Sequence, residues 1–113
     1  MLIKEFSKNL QLAGGEIIDK NNISNYFNSY EIKAKFGVAE NGALFIENPT
    51  KELFLSENIK IIIDKKEIYP TMEDIMEFID EGIFISGPSK TADVESFLVL
   101  GAHGAIKVGV VLI

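Results

Sequence analysis

The chain has 113 residues, of which 47% are hydrophobic and 25% are charged, and its formal net charge is −6 at pH 7. This length and apolar content predict a single globular domain over residues 1–113 and exclude an intrinsically disordered chain. The absence of cysteine excludes disulfides, thiolate zinc sites, a cysteine nucleophile and an intrinsic iron–sulfur cluster.

Other classes of function are disfavoured as well. The 11 basic residues are scattered through an acidic chain, which argues against nucleic-acid binding. A single histidine among scattered carboxylates is a poor ligand set for a transition metal, so we expect no metal site and no intrinsic cofactor. No apolar run approaches the ~20 residues of a membrane-spanning helix. The start of the chain lacks the pattern of a secretory signal. We therefore expect a cytoplasmic protein without membrane insertion.

The first third of the chain predicts two helices and a short strand. Leu2, Phe6 and Leu10 recur at four-residue steps, which is typical of a helix, and Gly14-Gly15 ends it. Residues 16–19 form the predicted strand. Asn22 is the predicted cap of the second helix, whose core-facing stripe comprises Ile23, Tyr26, Phe27 and Tyr30.

The middle third predicts a hairpin, a buried strand and a helix. Residues 35–40 and 43–47 flank Asn41-Gly42, the strongest short signal for a two-residue hairpin. Residues 59–64 form a β-branched run typical of a sheet covered on both faces. A helix opens at Pro70-Thr71, with an approximate capping box, and ends at Gly82. Its predicted apolar side comprises Met72, Ile75, Met76 and Ile79.

The last third predicts a strand over residues 83–85, a Gly-Pro turn, a helix over residues 91–100 and a final strand over residues 106–113. Strands and helices thus alternate along most of the chain. This order indicates an α/β fold with a largely parallel central sheet, flanking helices and one β-hairpin.

The turn after residue 85 concentrates the polar chemistry, because a strand that leads into a helix start is where α/β proteins usually place ligands. Gly87 sets the turn, and Ser89 and Thr91 either cap the helix or donate to a ligand. Lys90 either neutralises a carboxylate or phosphate or remains solvated. Asp93 either pins the turn or binds a cationic or hydroxylated group.

His103 and Glu40 are the two candidates for acid–base chemistry. His103 is the single residue that titrates near neutrality, and it serves either a catalytic or a structural role. Glu40 precedes the predicted hairpin turn. If the hairpin folds over the polar turn, Glu40 meets His103 or Lys90; otherwise it is an exposed carboxylate.

Residues 87–95, Gly-Pro-Ser-Lys-Thr-Ala-Asp-Val-Glu, followed by Gly-Ala-His-Gly at 101–104, resemble the C-terminal signature of the LUD-domain family, which includes the lactate-utilisation protein C group. Residues 38–42, Val-Ala-Glu-Asn-Gly, are similar to the family's Ala-Glu-Thr-Gly segment. Asn41 replaces the family's threonine, and Ala105 replaces a proline. Family members are commonly longer at the front, so the chain resembles a short form.

The resemblance implies a sheet related to the sugar-phosphate isomerase and CoA-transferase-like superfold. It also implies an accessory protein or subunit of an iron–sulfur system that oxidises L-lactate or a related organic acid to a keto acid. The iron–sulfur cofactors would then belong to partner oxidoreductase subunits, and a small organic acid is a candidate ligand. The expected catalytic residues are Glu40 and His103, and the expected ligand-binding residues are Gly87, Ser89, Lys90, Thr91 and Asp93.

Two other functions stay open at this point. One is a stand-alone binding protein or enzyme acting on a phosphorylated or CoA-linked acid, with Glu40, Lys90 and His103 in one pocket. The other is a stable remnant of a longer ancestor, whose loops persist for folding reasons. Self-association of the chain is open in all of these cases.

Overall fold

The computed structural model describes residues 2–79, 81–86 and 107–113, and the backbone of residues 92–94 and 97–100. Across these ranges the chain forms two α-helices and ten β-strands, with four short 3-10 turns between them. The helices are α1 (Leu2–Leu12) and α2 (Lys51–Leu55). The strands are β1 (Glu16–Ile17), β2 (Tyr30–Lys33), β3 (Phe36–Val38), β4 (Ala43–Ile46), β5 (Asn58–Ile63), β6 (Ile68–Tyr69), β7 (Ile83–Ile85), β8 (Ala92–Val94), β9 (Phe97–Leu100) and β10 (Lys107–Leu112).

The first sheet, here called the parallel sheet, has the order β1-β10-β5-β2, and all its pairs are parallel. This sheet confirms the predicted α/β class with a parallel sheet. Along β5 the burial alternates: Ile59, Ile61 and Ile63 are buried, whereas Lys60 and Ile62 are half-buried. The continuous apolar run therefore forms a strand, as predicted, but one face of it is less completely covered than the other.

The second sheet, the mixed sheet, has the order β6-β3-β4-β7-β9-β8. Its centre is β4, which pairs antiparallel with both β3 and β7. All four residues of β4 are buried, because Leu44 and Ile46 pack into one apolar cluster and Ala43 and Phe45 pack into another. The mixed sheet thus has a core on both faces.

The two apolar clusters join the elements into one unit. The larger cluster lies between the sheets and takes in Phe6 and Leu10 of α1 together with β4, β5 and β10. The smaller one lies on the other face of the mixed sheet and contains Phe45 and Phe84, whose ring centroids are 5.1 Å apart. The segment after β6 closes this second core with the side chains of Met72 and Ile75.

The predicted helix after Asn22 is mostly wrong. The structure has a 3-10 turn over Ile23–Tyr26, and Tyr30 already begins β2. The Asn22 side chain donates to the Ile17 carbonyl and accepts from the Asp19 N–H instead of capping a helix. Of the predicted stripe, Tyr26 is buried, whereas Ile23 is 40% exposed and Phe27 is 73% exposed. Asparagine and serine side chains dominate this segment and compete for backbone hydrogen bonds, which favours turns over a helix.

The helix predicted after Pro70 is not a regular α-helix in the structure. Two 3-10 turns, Met72–Asp74 and Met76–Phe78, replace it. The Asp74 carboxylate does accept from the Thr71 backbone N–H, at 2.9 Å, as half of the predicted capping box would require. Met72 and Ile75 are buried as expected, and Phe78, which is not part of the predicted apolar side, is 61% exposed.

The predicted helix over residues 91–100 is wrong. The described parts of this segment are β8 and β9, which pair antiparallel, and β9 also pairs in parallel with β7. Short apolar runs do not distinguish a strand from a helix by periodicity alone. This segment contains the β-branched or aromatic residues Val94, Phe97 and Val99. Such residues favour a strand when the segment can pair with the edge of a sheet.

Candidate functional site

Several strand ends meet at one edge of the mixed sheet. The carboxyl ends of β3, β6, β7 and β9 lie there, because Val38 is opposite Tyr69 and Ile85 is opposite Leu100 in parallel pairs. The starts of β4 and β8 lie at the same edge, since Ala43 is opposite Val38 and Ala92 is opposite Val99. We call this the signature edge, formed by residues 39–42, Pro70, Ser86, Ala92 and Leu100.

The loop over residues 39–42 is the part of the signature edge that the structure describes most fully. It connects β3 and β4 as an antiparallel hairpin, which confirms that prediction. Val38 pairs with Ala43, however, so the loop has four residues and not two. The Gly42 N–H donates to the Val38 carbonyl at 2.9 Å, and Gly42 has a φ of 68°. Asn41 Oδ1 accepts from the Ala43 N–H, which tightens the turn from inside.

Helix α1 supports this loop from below. The Asn9 side-chain amide donates to the carbonyls of Ala39 and Glu40, at 2.7 and 3.2 Å. Gly42 lies so close to the helix that a Cβ atom there would be 2.4 Å from the Leu10 nitrogen. Helix α1 therefore fixes the position and orientation of the loop over residues 39–42.

Glu40 joins the loop to the segment that follows β6. Its backbone N–H donates to the Pro70 carbonyl at 3.0 Å, and its carboxylate Oε2 accepts from the Met72 N–H at 2.6 Å. The residue is nevertheless exposed, and Oε1 has no hydrogen-bond partner within the described residues. Sequence reasoning missed this contact. Pro70-Thr71 did indicate that an acceptor is needed there. A helical turn that begins at these residues leaves its first backbone N–H groups without a partner in the turn.

Ser86 joins the loop to the end of β7. It is fully buried, and its hydroxyl donates to the Asn41 carbonyl at 2.8 Å. Ser86 immediately precedes Gly87, so this bond fixes the point where the chain enters the signature segment. Sequence reasoning missed Ser86 as well. Its only signal was a hydroxyl residue directly after a strand of buried apolar residues.

Most of the residues predicted for the site lie outside the described residues. These are Gly87, Ser89, Lys90, Thr91 and His103. The backbone of Asp93 lies in β8, opposite Leu98, and not in the predicted helix, while its predicted ligand-binding role stays a prediction. Glu40 lies at the signature edge. Its catalytic role and the ligand-binding roles of the other residues stay predictions.

The described residues also limit what the chain itself holds. Among them no group of three or more histidine, aspartate or glutamate side chains is arranged to bind a metal ion. Nor does any helix within these ranges have the length and apolar character needed to cross a membrane.

Comparison with known proteins gives a consistent result. The model of a family described as "LUD domain" matches residues 3–113. The chain is 28% identical over 103 residues to "Lactate utilization protein C" of Bacillus subtilis (strain 168), an alignment that covers 72% of this chain and 43% of the relative. It is 32% identical over 71 residues to the protein of the same name from Geobacillus thermodenitrificans (strain NG80-2), covering 53% of this chain and 30% of that protein.

A third protein of that name, from Geobacillus sp. (strain WCH70), is 38% identical over 65 residues, which are 48% of this chain and 27% of the relative. The chain thus spans less than half the length of each of these curated relatives. No solved structure matches the chain significantly. The predicted relation to the sugar-phosphate isomerase and CoA-transferase-like superfold therefore stays a prediction.

Proposed function

Because the chain belongs to the LUD-domain family, we propose that it is an accessory protein or subunit of an iron–sulfur system that oxidises L-lactate or a related organic acid to a keto acid. The observation that carries the proposal is the family match over residues 3–113, joined by relatives that are named for lactate utilisation. The proposal further places the chain in the cytoplasm, next to its partner subunits.

The proposed roles of this chain and of its partner subunits follow from the chemistry of hydroxy-acid oxidation. Oxidation of a hydroxy acid to a keto acid removes an electron pair and two protons, and the electrons need a redox acceptor. This chain has no cysteine with which to hold a cluster. In the proposed system, iron–sulfur centres on partner proteins accept the electrons, and this chain contributes a binding and docking surface.

We place that surface at the signature edge. Ser86 and Ala92 are the described residues on either side of residues 87–91, and both lie at the signature edge with Glu40. Leu100, which precedes the Gly-Ala-His-Gly segment, lies there too. In the proposal the Lys90 ammonium pairs with the carboxylate of the acid, with Gly87, Ser89, Thr91 and Asp93 around it.

The same placement gives Glu40 and His103 the acid–base roles. Glu40 retains carboxylate Oε1 without a hydrogen-bond partner within the described residues. Histidine side chains ordinarily change charge near neutral pH, so in the proposal His103 accepts or releases the proton of a hydroxyl group.

The experiment that tests the proposal is a gentle affinity purification of the chain from its own cells, with mass spectrometry and an iron assay on the recovered material. Cysteine-rich iron–sulfur proteins recovered in a fixed ratio to the chain support the proposal. Recovery of the bare, iron-free chain under conditions that preserve other complexes contradicts it.

One observation favours a second candidate, a stand-alone protein that binds a phosphorylated or CoA-linked acid. The loop over residues 39–42 is held by bonds from α1, from the segment after β6 and from Ser86, and such pre-organisation is what a ligand site needs. A thermal-shift screen of phosphorylated and CoA-linked acids tests it. A rise in melting temperature that disappears in Lys90→Ala supports this candidate, and a flat response across the screen rejects it.

A further inference from the structure

A separate cleft of about 600 Å³ opens on the side of the mixed sheet opposite the signature edge. It lies where the chain passes from one sheet to the other. The Ala34 N–H donates to the Ile62 carbonyl of the parallel sheet, and the next N–H, that of Lys35, donates to the Phe45 carbonyl of the mixed sheet. Residues at the carboxyl ends of β2 and β4, and Asp64 directly after β5, line the opening.

The floor of this cleft is apolar and its walls are charged. Ala34 and Ile46 line it and are almost fully buried. The walls carry Lys35 and Glu47, which form an ion pair at 2.8 Å and largely neutralise each other. A volume of several hundred Å³ is within the range of small-molecule sites. Most residues that line this cleft are polar or charged, which favours a charged ligand.

Three charges remain without an ionic partner among the described residues. No carboxylate of the part of the chain that the structure describes lies within 4.0 Å of the Lys33 ammonium. Asp64 accepts from the Lys66 N–H through Oδ1, and Glu67 accepts from the Tyr69 hydroxyl through Oε1. Each of these carboxylates therefore keeps a second oxygen that no described donor occupies. The hydrogen bond to the Glu67 carboxylate raises the pKa of the Tyr69 hydroxyl above its usual range. Tyr69 is protonated at neutral pH in any case and donates to Oε1 of Glu67.

We propose that this cleft binds a small zwitterion, an amino acid or a short peptide, whose carboxylate pairs with Lys33 and whose ammonium group pairs with Asp64 and Glu67. One cation and two anions without ionic partners, among the described residues that line one cleft, match a ligand that carries both charges. The site is independent of the signature edge, because the starting end of β3 and the carboxyl end of β4 border the cleft, whereas their other ends form that edge.

Calorimetric titration of the purified chain provides the first test. The probes are the free amino acids and a series of glycyl dipeptides, with the N-acetylated and amidated form of each binder and with putrescine as controls. At least one zwitterion is expected to bind, and blocking either of its charged ends is expected to weaken binding about tenfold. Preference for the free or the peptide series identifies the source of the ligand. No binding at millimolar concentration, or equal binding of putrescine, overturns the proposal.

Substitutions then locate the bound ligand. Lys33→Gln and Glu67→Gln are each expected to weaken binding about tenfold without lowering the melting temperature, since glutamine at position 67 still offers Tyr69 an acceptor. Lys66→Gln is the matched control, because Lys66 is exposed and does not line the cleft. Equal affinity in all three variants overturns the proposal.

Amide chemical shifts separate this site from the proposed function. Bound zwitterion is expected to shift the amide signals of Ile32, Ala34 and Asn48 and to leave those of Gly42 and Ser86 unchanged. Shifts confined to Gly42 and Ser86 place the ligand at the signature edge and overturn the cleft proposal. Loss of the iron–sulfur association, by contrast, has no bearing on this titration.

Discussion

The two ends of the β3–β4 hairpin have very different surroundings. At the signature edge, the side chains of Asn9, Glu40 and Ser86 bind backbone groups that lie 30 or more residues away in sequence. At the charged cleft, the ion pair is between the side chains of Lys35 and Glu47, which are 44% and 46% exposed. The first end fixes the course of the main chain, whereas the second presents charged groups to solvent.

The two ends of the hairpin should therefore contribute differently to the stability of the chain. A hydrogen bond to a backbone group holds a loop in one geometry, so its loss affects folding and any function of that loop together. An exposed ion pair contributes little to stability, so its loss should change the free energy of unfolding only slightly. Substitutions at the two ends should therefore have effects of very different size on the free energy of unfolding.

Gly42→Ala is expected to have the largest effect. The new Cβ would lie 2.4 Å from the Leu10 nitrogen, on a residue with a φ of 68°, so both the helix and the loop must shift. We expect a loss of about 3 kcal/mol or more in the free energy of unfolding, measured by urea denaturation. Gly14→Ala is the control, because Gly14 also has a positive φ, of 95°, but is exposed. Equal losses at both glycines would show that the loop does not rest on α1.

Ser86→Ala should have the next largest effect. It removes the buried hydroxyl that donates to the Asn41 carbonyl, and that carbonyl loses its partner. We expect a loss of about 1–2 kcal/mol in denaturant unfolding. Ser56→Ala removes a hydroxyl–carbonyl bond of similar length at an exposed position and should cost much less. If the two serine variants unfold alike, the link between the loop and the end of β7 is not structural.

Glu40→Ala should cost about 1 kcal/mol, because the Met72 N–H loses a charged acceptor at an exposed position. Glu40→Gln keeps an acceptor oxygen, so it should recover most of the loss in a thermal melt. A glutamine variant as unstable as the alanine variant would mean that charge, and not the bond to Met72, is what matters at this position.

The Lys35–Glu47 pair should contribute least. Replacing both residues in a double-mutant cycle is expected to give a coupling energy of about 0.5 kcal/mol or less, because the pair is half exposed. The coupling should decline further as salt concentration rises. A coupling above about 2 kcal/mol would remove the contrast between the two ends of the hairpin.

Local patterns predicted those elements whose signals lie within one segment. The four-residue spacing of Leu2, Phe6 and Leu10 predicted α1, and the β-branched run from Ile59 predicted β5. The strand over residues 83–85 has the predicted bounds. These segments form the same element wherever they pack, because their periodicity or their β-branched residues favour one structure.

The failures arose where packing between distant segments decides the structure. Residues 97–100 form a strand because β7 offers them a pairing edge, which no local pattern reveals. In the short turn after Asn22, Tyr26 is buried. Its ring packs against Gly109, where an added Cβ would lie 2.5 Å from the ring. Ser86 and Asn9 escaped notice for the same reason, since their partners are 45 and 30 residues away.

We propose that the signature edge joins this LUD-domain chain to an iron–sulfur partner. The most direct test repeats the affinity purification with Lys90→Ala beside the wild type and beside Lys66→Ala, whose lysine is exposed and lies outside the signature edge. We expect iron and cysteine-rich partners to be recovered with the wild type and with Lys66→Ala. We expect both to be lost with Lys90→Ala, although that variant remains folded. Equal iron recovery from all three proteins, or none from the wild type, would contradict the proposal.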